Sequence, residues 1–250
     1  MIVFNIDIAD VVVQVHAIFE NSRGYCSEYL TEKKPDFSVV IMPEDLVLER
    51  ELAAKTDIAE GKSVRNVSDA QLEITAIQRK IAREMFSYDT ILFHGSVVAV
   101  DGQAYLFTAK SGTGKSTHTR LWREMLGERA VMVNDDKPFL RVTDHGVLAC
   151  GSPWNGKHRL GSNIQIPLKA MCVLDRGQEN KIVPIDPQDV LHMLLQQSNR
   201  PRDPGSIMLY MDILDRIAHT VAFYRLACNM EPEAAEVAFR VLSADRQHNG

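Results

Sequence analysis

No stretch of this sequence approaches the roughly 20 consecutive apolar residues that a membrane-spanning helix requires. Its first residues, MIVFNIDIADVVVQVH, carry acids where a secretory signal needs a basic start, and their apolar side chains alternate instead of running on. Cysteine is scarce: Cys26, Cys150, Cys172 and Cys228 lie far apart, with no Cys-x-x-Cys pair and no histidine at zinc spacing. A chain of 250 residues can build a core without a disulfide framework, so the thiols are read as reduced and mostly buried. These absences make a soluble, cytoplasmic protein the expectation. An excess of positive charge is missing too. Lys and Arg number 28 against 33 Asp and Glu, for a net charge of −5, which argues against a broad nucleic-acid or membrane-binding surface. There is no internal repeat and no low-complexity tract.

What is present is the balance of a globular protein, 45% hydrophobic and 24% charged. Residues 2–8 and Val11, Val13 and Val15 alternate in the manner of strands, with another strand expected at 37–42. A turn is expected at 21–24, a short helix after Pro43 and a loop over 55–66. Residues 1–67 are therefore read as a small, strand-rich subdomain. Residues 68–250 are read as the main domain, opening on a Ser68–Gln71 capping box and an amphipathic helix over 69–88.

Two strands follow, 91–100 and 104–108, joined by Asp101-Gly102-Gln103, a tight-turn signal that predicts an antiparallel hairpin. The second runs into Ala109-Lys110-Ser111-Gly112-Thr113-Gly114-Lys115-Ser116, a phosphate-binding-loop pattern with alanine at its first position, followed by a helix over 115–126 that Gly127 can close. A polyphosphate needs converging backbone N–H groups, and glycines at 112 and 114 keep side chains out of the way. The helix start adds its positive end, Lys115 a cation, and the Ser116 hydroxyl a ligand for magnesium. Ser111, Gly112, Thr113, Gly114, Lys115, Ser116 and Thr117 are the candidate nucleotide-binding residues.

A short strand over 130–133 ends at Asn134-Asp135-Asp136, two acids placed to hold magnesium or to take a proton. His94-Gly95 sits at the end of Ile91-Leu92-Phe93, beside the loop-bearing strand if the hairpin holds. The tight turn itself is informative. It gives that strand an antiparallel neighbour, unlike the parallel crossovers of common nucleotide-binding sheets. Further on, a hairpin is expected around 144–146, an exposed loop over 151–163, a strand over 164–174 made an edge or a start by Pro167, and helices from Pro187, over 206–219 and over 231–242, with a strand at 221–226 between the last two.

His94-Gly95, the Ser-Gly-Thr-Gly-Lys-Ser run over 111–116 and the strand ending in Asp135-Asp136 together resemble HPr kinase/phosphorylase and its relatives in the phosphoenolpyruvate-carboxykinase-like P-loop superfamily. The resemblance implies an α/β, mixed-sheet P-loop kinase domain that uses ATP and Mg2+ to phosphorylate a serine hydroxyl. It implies that Lys115 contacts the phosphates, that Ser116 and Asp136 hold the metal, that Asp135 is the base, and that His94 lies beside metal and phosphates. Asp135 is a further candidate metal ligand.

Lys157 and Arg159, in the glycine-containing loop, are candidate contacts for an anionic substrate or for the transferring phosphoryl group. The reading is an ATP-dependent kinase whose acceptor is a hydroxyl of a peptide, a protein or a small metabolite. Assembly with further copies stays open. The alternative is a non-catalytic ATP-binding regulator or scaffold with the same fold.

Overall fold

The structure is a computed structural model that describes residues 1–110, 112–201 and 203–244. Its contacts divide the chain into two compact units, Met1–Tyr88 and Asp89–Gly250.

In the first unit, β1 (Ile2–Ile8) and β2 (Val11–Ala17) form an antiparallel hairpin. Its two-residue turn puts Ala9 and Asp10 at φ 54° and 55°, the left-handed geometry that matches strand twist. β3 (Phe37–Val40) adds parallel to β2. Three helices accompany the sheet: α1 (Glu20–Tyr25), α2 (Pro43–Ala59) and α3 (Asp69–Glu84). Helix α3 starts at the predicted cap, where the Ser68 side chain accepts from the Gln71 N–H. It packs on α2, β2 and β3, and belongs to this first compact unit.

The expected turn at 21–24 is instead part of α1. Buried Glu73 of α3 accepts from Ile18 N (2.5 Å), Phe19 N (3.0 Å) and Ser22 Oγ (2.6 Å), which anchors that short helix from outside its own sequence. The expected loop over 55–66 likewise starts late, because α2 continues to Ala59. Asp57 is fully buried there and accepts from both the backbone and the guanidinium of Arg65. The polarity of residues 55–59 marked a helix surface, and the expected loop follows it.

The second unit holds a nine-stranded mixed sheet flanked by helices, the expected mixed-sheet α/β class. In chain order it contains β4 (Thr90–Leu92), β5 (Ser96–Val100), β6 (Gln103–Thr108), α4 (Lys115–Leu126), β7 (Ala130–Asn134), β8 (Phe139–Thr143) and β9 (Gly146–Cys150). β10 (Gln165–Arg176), β11 (Lys181–Pro184), α5 (Pro187–Gln197), α6 (Pro204–Thr220), β12 (Ala222–Cys228) and α7 (Glu233–Ser243) follow. The strand order is β4-β8-β9-β10-β6-β5-β7, with β12 paired to β10 and β11 to β12.

The predicted β5–β6 hairpin is present, with Val100 opposite Gln103 and both Asp101 and Gly102 at positive φ. β5 is antiparallel to β6 and to β7, so β6 and β7 run the same way and end at one edge of the sheet. β10 is parallel to β6 and β12 to β10, which brings four strand ends to that edge. Helix α4 is seated by Trp122, fully buried, whose ring lies 5.1 Å from both Tyr105 and Phe107 and 5.4 Å from Phe239. That seat fixes where the N-terminus of α4 meets the edge.

Three expectations for this unit need correction. The strand expected over 91–100 is two strands with different partners, β4 on β8 and β5 on β6 and β7, and His94-Gly95 fills the break. Gly95 is needed there, since a Cβ would come within 2.9 Å of Leu106 and 3.1 Å of a backbone oxygen. Pro167 does not make β10 an edge. Pairing with β6 begins at Leu168, so the missing proline N–H is not called on from that side, and β10 lies inside the sheet. The loop over 151–163 is not exposed throughout: residues 151–154 are buried, and the Trp154 ring packs edge-on against Phe139.

None of the four cysteines forms a disulfide, and three of them are buried. Among the described residues no helix is long and apolar enough to cross a membrane.

Candidate functional site

β6 delivers the chain to the glycine loop at Thr108. Gly112 and Gly114 take φ 77° and 120°, a region that glycine enters without the steric cost other residues bear. Ser111 lies outside the described residues. Arg176, from the last position of β10, donates to the Gly112 carbonyl at 2.7 Å and clips the loop to the neighbouring strand. Lys115 opens α4 and folds back, its ammonium 3.3 Å from the Ala109 carbonyl. Burial lowers its pKa from the ordinary lysine value. The Asp136 charge opposes that shift and Lys137 adds to it. Ser116 is exposed at the first turn, and Thr119 beneath it shares a hydroxyl contact with Ser96 of β5 at 3.2 Å.

The two acids leave β7 in a turn that Asn134 builds. Its side-chain oxygen, fully buried, accepts from Asp136 N (2.8 Å) and Lys137 N (2.6 Å), and its amide donates to Ser152. Ser152 Oγ in turn donates to the Lys137 carbonyl at 2.6 Å. The buried start of the 151–163 loop is therefore the support of the acid pair. An asparagine at a strand end before a turn is a signal the sequence carried, although its use as the turn's builder was not read from it.

Asp135 is largely buried and accepts from Gly156 N at 2.6 Å. Burial raises its pKa above the usual carboxylate range, against the lowering effect of backbone N–H donors at Gly156 and Leu160. Asp136 goes the other way. Burial would raise it, but the hydrogen bond from His94 and the nearby charges of Lys137, His94 and Lys115 outweigh this and hold it below the ordinary value. His94 Nε2 lies 3.4 Å from Asp136 Oδ1. The break between β4 and β5 is pinned on three sides: His94 N donates to Gln197 O (2.7 Å), His94 O accepts from Thr108 Oγ1 (2.9 Å), and Gly95 N donates to Asp136 O (3.1 Å). Two adjacent carboxylates with opposite shifts are suited to different roles, one to carry a proton and one to remain charged.

A cavity of about 400 Å3 is lined by Ser116, Thr117 and Thr119 of α4 together with Asp135, and by Arg120, Arg123, His158 and Leu160. The structure thus brings Ser116, Thr117 and Asp135 to one cavity, and sets Asp136 against His94 and within electrostatic range of Lys115. Lys157 and Arg159 are exposed, and their neighbours His158 and Leu160 are the ones that line this cavity. Arg120, Arg123 and Arg176 carried no local motif. They acquire their positions from helix phase and strand pairing.

A family model described as SynChlorMet cassette protein ScmC matches residues 62–244, which span most of the chain. The chain belongs to that family. The matched segment contains the glycine loop, the acid pair and His94. No curated protein matches the chain. Among solved structures, the HPr(Ser) kinase/phosphatase from Coxiella burnetii aligns at a TM-score of 0.36 and 17% identity, over 60% of this chain and 94% of that one.

In this family member, His118 on α4 is buried, and burial pushes its pKa from 6.5 down to about 4. The unfolded chain takes up this proton near pH 6.5 and the folded chain only near pH 4, so the unfolded state binds more protons in between. Stability is fully present above about 6.5 and falls by roughly 3 kcal/mol on acidification to pH 4. Urea unfolding of the wild type and of His118→Gln at pH 7 and pH 4.5 measures this. The gap between the two narrows in acid, and a gap independent of pH would contradict the shift.

Proposed function

We propose that this chain is an ATP- and magnesium-dependent phosphotransferase that transfers the γ-phosphoryl group to a hydroxyl. The observation that carries the reading is Asp135, a buried carboxylate with a raised pKa, lining the same cavity as Ser116 at the N-terminus of α4 behind the glycine loop.

The residues fit a magnesium–nucleotide ligand. Among the described residues no group of three or more His, Cys, Asp and Glu is placed to hold a metal on its own. Magnesium in kinase-type sites takes one or two protein carboxylates and completes its shell with water and phosphate oxygens, a demand that Asp136 and the Ser116 hydroxyl meet. Bound magnesium would supply neutralisation of charge on the phosphates. The remaining roles belong to the chain. Loop N–H groups and the Lys115 ammonium bind phosphate oxygens. Asp136, kept charged by His94 and the neighbouring lysines, would hold the cation together with the Ser116 hydroxyl. Asp135, raised toward working pH, accepts the proton of the attacking hydroxyl. The acceptor enters through the cavity walled by Arg120, Arg123 and His158. It is a serine of a peptide or protein, or a small hydroxylated metabolite. The resemblance of the three motifs to HPr kinase/phosphorylase supports the same reading.

Titration calorimetry of the full chain with ATP, with and without magnesium, is the direct test. The expected result is saturable binding at roughly micromolar to millimolar ATP that weakens when EDTA removes the cation. No binding at several millimolar ATP overturns the proposal.

A further inference from the structure

A second cavity of about 460 Å3 shares Gly112, Thr113 and Gly114 with the glycine loop and Thr117 with the cavity beside Asp135. Beyond the loop its walls are mainly apolar, with Leu121 from α4, Leu174 from β10 and Met230 after β12, and Arg176 stands beside them. None of these was singled out by a motif. Phosphate chemistry accounts for the glycines but not for an apolar chamber of nucleoside size next to them.

His118 also lines this cavity, with 3% of its surface exposed. Its Nε2 accepts from the indole N–H of Trp122 at 3.1 Å. An indole nitrogen donates and never accepts, so Nε2 must carry a lone pair, and a neutral ring then carries its proton on Nδ1. Nδ1 is buried and has no hydrogen-bond partner. A buried donor left without an acceptor is rare in folded proteins and calls for an explanation. Core packing supplies none, because the Trp122 contact already holds the ring in place. The side chain of Asn229, also on the cavity wall, is committed: its amide donates to Gln178 O (3.2 Å) and its oxygen accepts from Glu231 N (3.0 Å). His118 thus brings an uncommitted, buried donor to the wall of this cavity.

We propose that this cavity is the purine-nucleoside subsite of the nucleotide site, with the base between Leu121, Leu174 and Met230 and the His118 Nδ1–H donating to a purine ring nitrogen. The inference rests on the nucleotide reading above and adds to it a direction. The base lies on the side of Leu174 and Met230, and the polyphosphate crosses the loop toward Thr117 and the cavity that Asp135 lines. It also assigns base recognition to a histidine three residues past the loop lysine.

The experiment is calorimetry on the full chain with ATP, with inorganic tripolyphosphate, and with 1-deaza-, 3-deaza- and 7-deaza-ATP, all in magnesium. ATP binds at least about tenfold more tightly than tripolyphosphate, and one of the three deaza analogues loses roughly three- to tenfold relative to ATP. His118→Gln keeps an acceptor for Trp122 while removing the donor at the Nδ1 position. It lowers ATP affinity by a similar factor and leaves tripolyphosphate affinity unchanged. His118→Asn, whose amide nitrogen falls where Nδ1 was, retains the preference for ATP. The analogue series uses unaltered protein, so a variant that fails to fold leaves the question answerable. Equal affinity for ATP and tripolyphosphate, or no loss with any deaza analogue, overturns the subsite and leaves the phosphate loop standing. If neither ATP nor tripolyphosphate binds, the nucleotide reading fails and the subsite with it.

Discussion

Asp135→Asn lowers phosphoryl transfer from ATP by about 10²–10⁴-fold while leaving ATP affinity nearly unchanged. The substitution keeps the size of the side chain and an oxygen that can accept from Gly156 N, so the loop over 151–163 stays folded against the acid turn. What is lost is a carboxylate whose burial raises its basicity. Transfer to a peptide or small-molecule hydroxyl, or to water when no other acceptor is supplied, reads the effect. In the wild type the rate falls on acidification through the Asp135 pKa, which lies above the ordinary carboxylate value of 3.8 because burial disfavours the charged form. That limb is missing from whatever activity the variant retains. Near-normal turnover in the variant removes Asp135 as the base. A wild type that binds ATP and transfers its phosphate to nothing, water included, is instead a nucleotide-binding regulator.

Lys115→Ala weakens ATP binding by roughly ten- to a hundredfold, the worth of one or two charge-assisted hydrogen bonds. The ammonium rests 3.3 Å from the Ala109 carbonyl at the mouth of the loop, half-buried, with its charged form disfavoured by burial and supported by Asp136. A cation held in this way gains from a polyphosphate what it lost in leaving water. The same reasoning predicts that the variant is no less stable than wild type without nucleotide, because a desolvated charge has been removed. Calorimetry and thermal melts separate the two effects. Unchanged ATP affinity would remove the loop from the site, and a lowered melting temperature would make Lys115 a structural residue.

Much of the site's scaffold could be read one residue at a time. Asp101-Gly102 specified the β5–β6 hairpin because both residues must enter the left-handed region, where glycine carries no penalty and aspartate a small one. Helix α4 begins at Lys115 and is closed by Gly127 at φ 56°, as the local pattern required. The strand preceding Asp135-Asp136 was visible in its apolar run, and its continuation to Asn134 came with the structure. Other features escaped because their causes lie far along the chain. Nothing near Pro167 states that β6 will join β10 one residue later. Nothing near residue 151 states that Ser152 will be fully buried beneath the acid turn. Arg176 is unremarkable until β10 pairs with β6 and carries it to the Gly112 carbonyl.

Local patterns were enough to place a glycine loop between a strand and a helix, an acid pair at a second strand end, and an antiparallel hairpin beside them, because turn and cap preferences act within a few residues. Packing was needed to end β6 and β7 at one sheet edge, to shift Asp135 up and Asp136 down, and to leave His118 with an unpartnered buried donor. Those outcomes depend on strand pairing and on which groups lose contact with water, and both are properties of the packed chain.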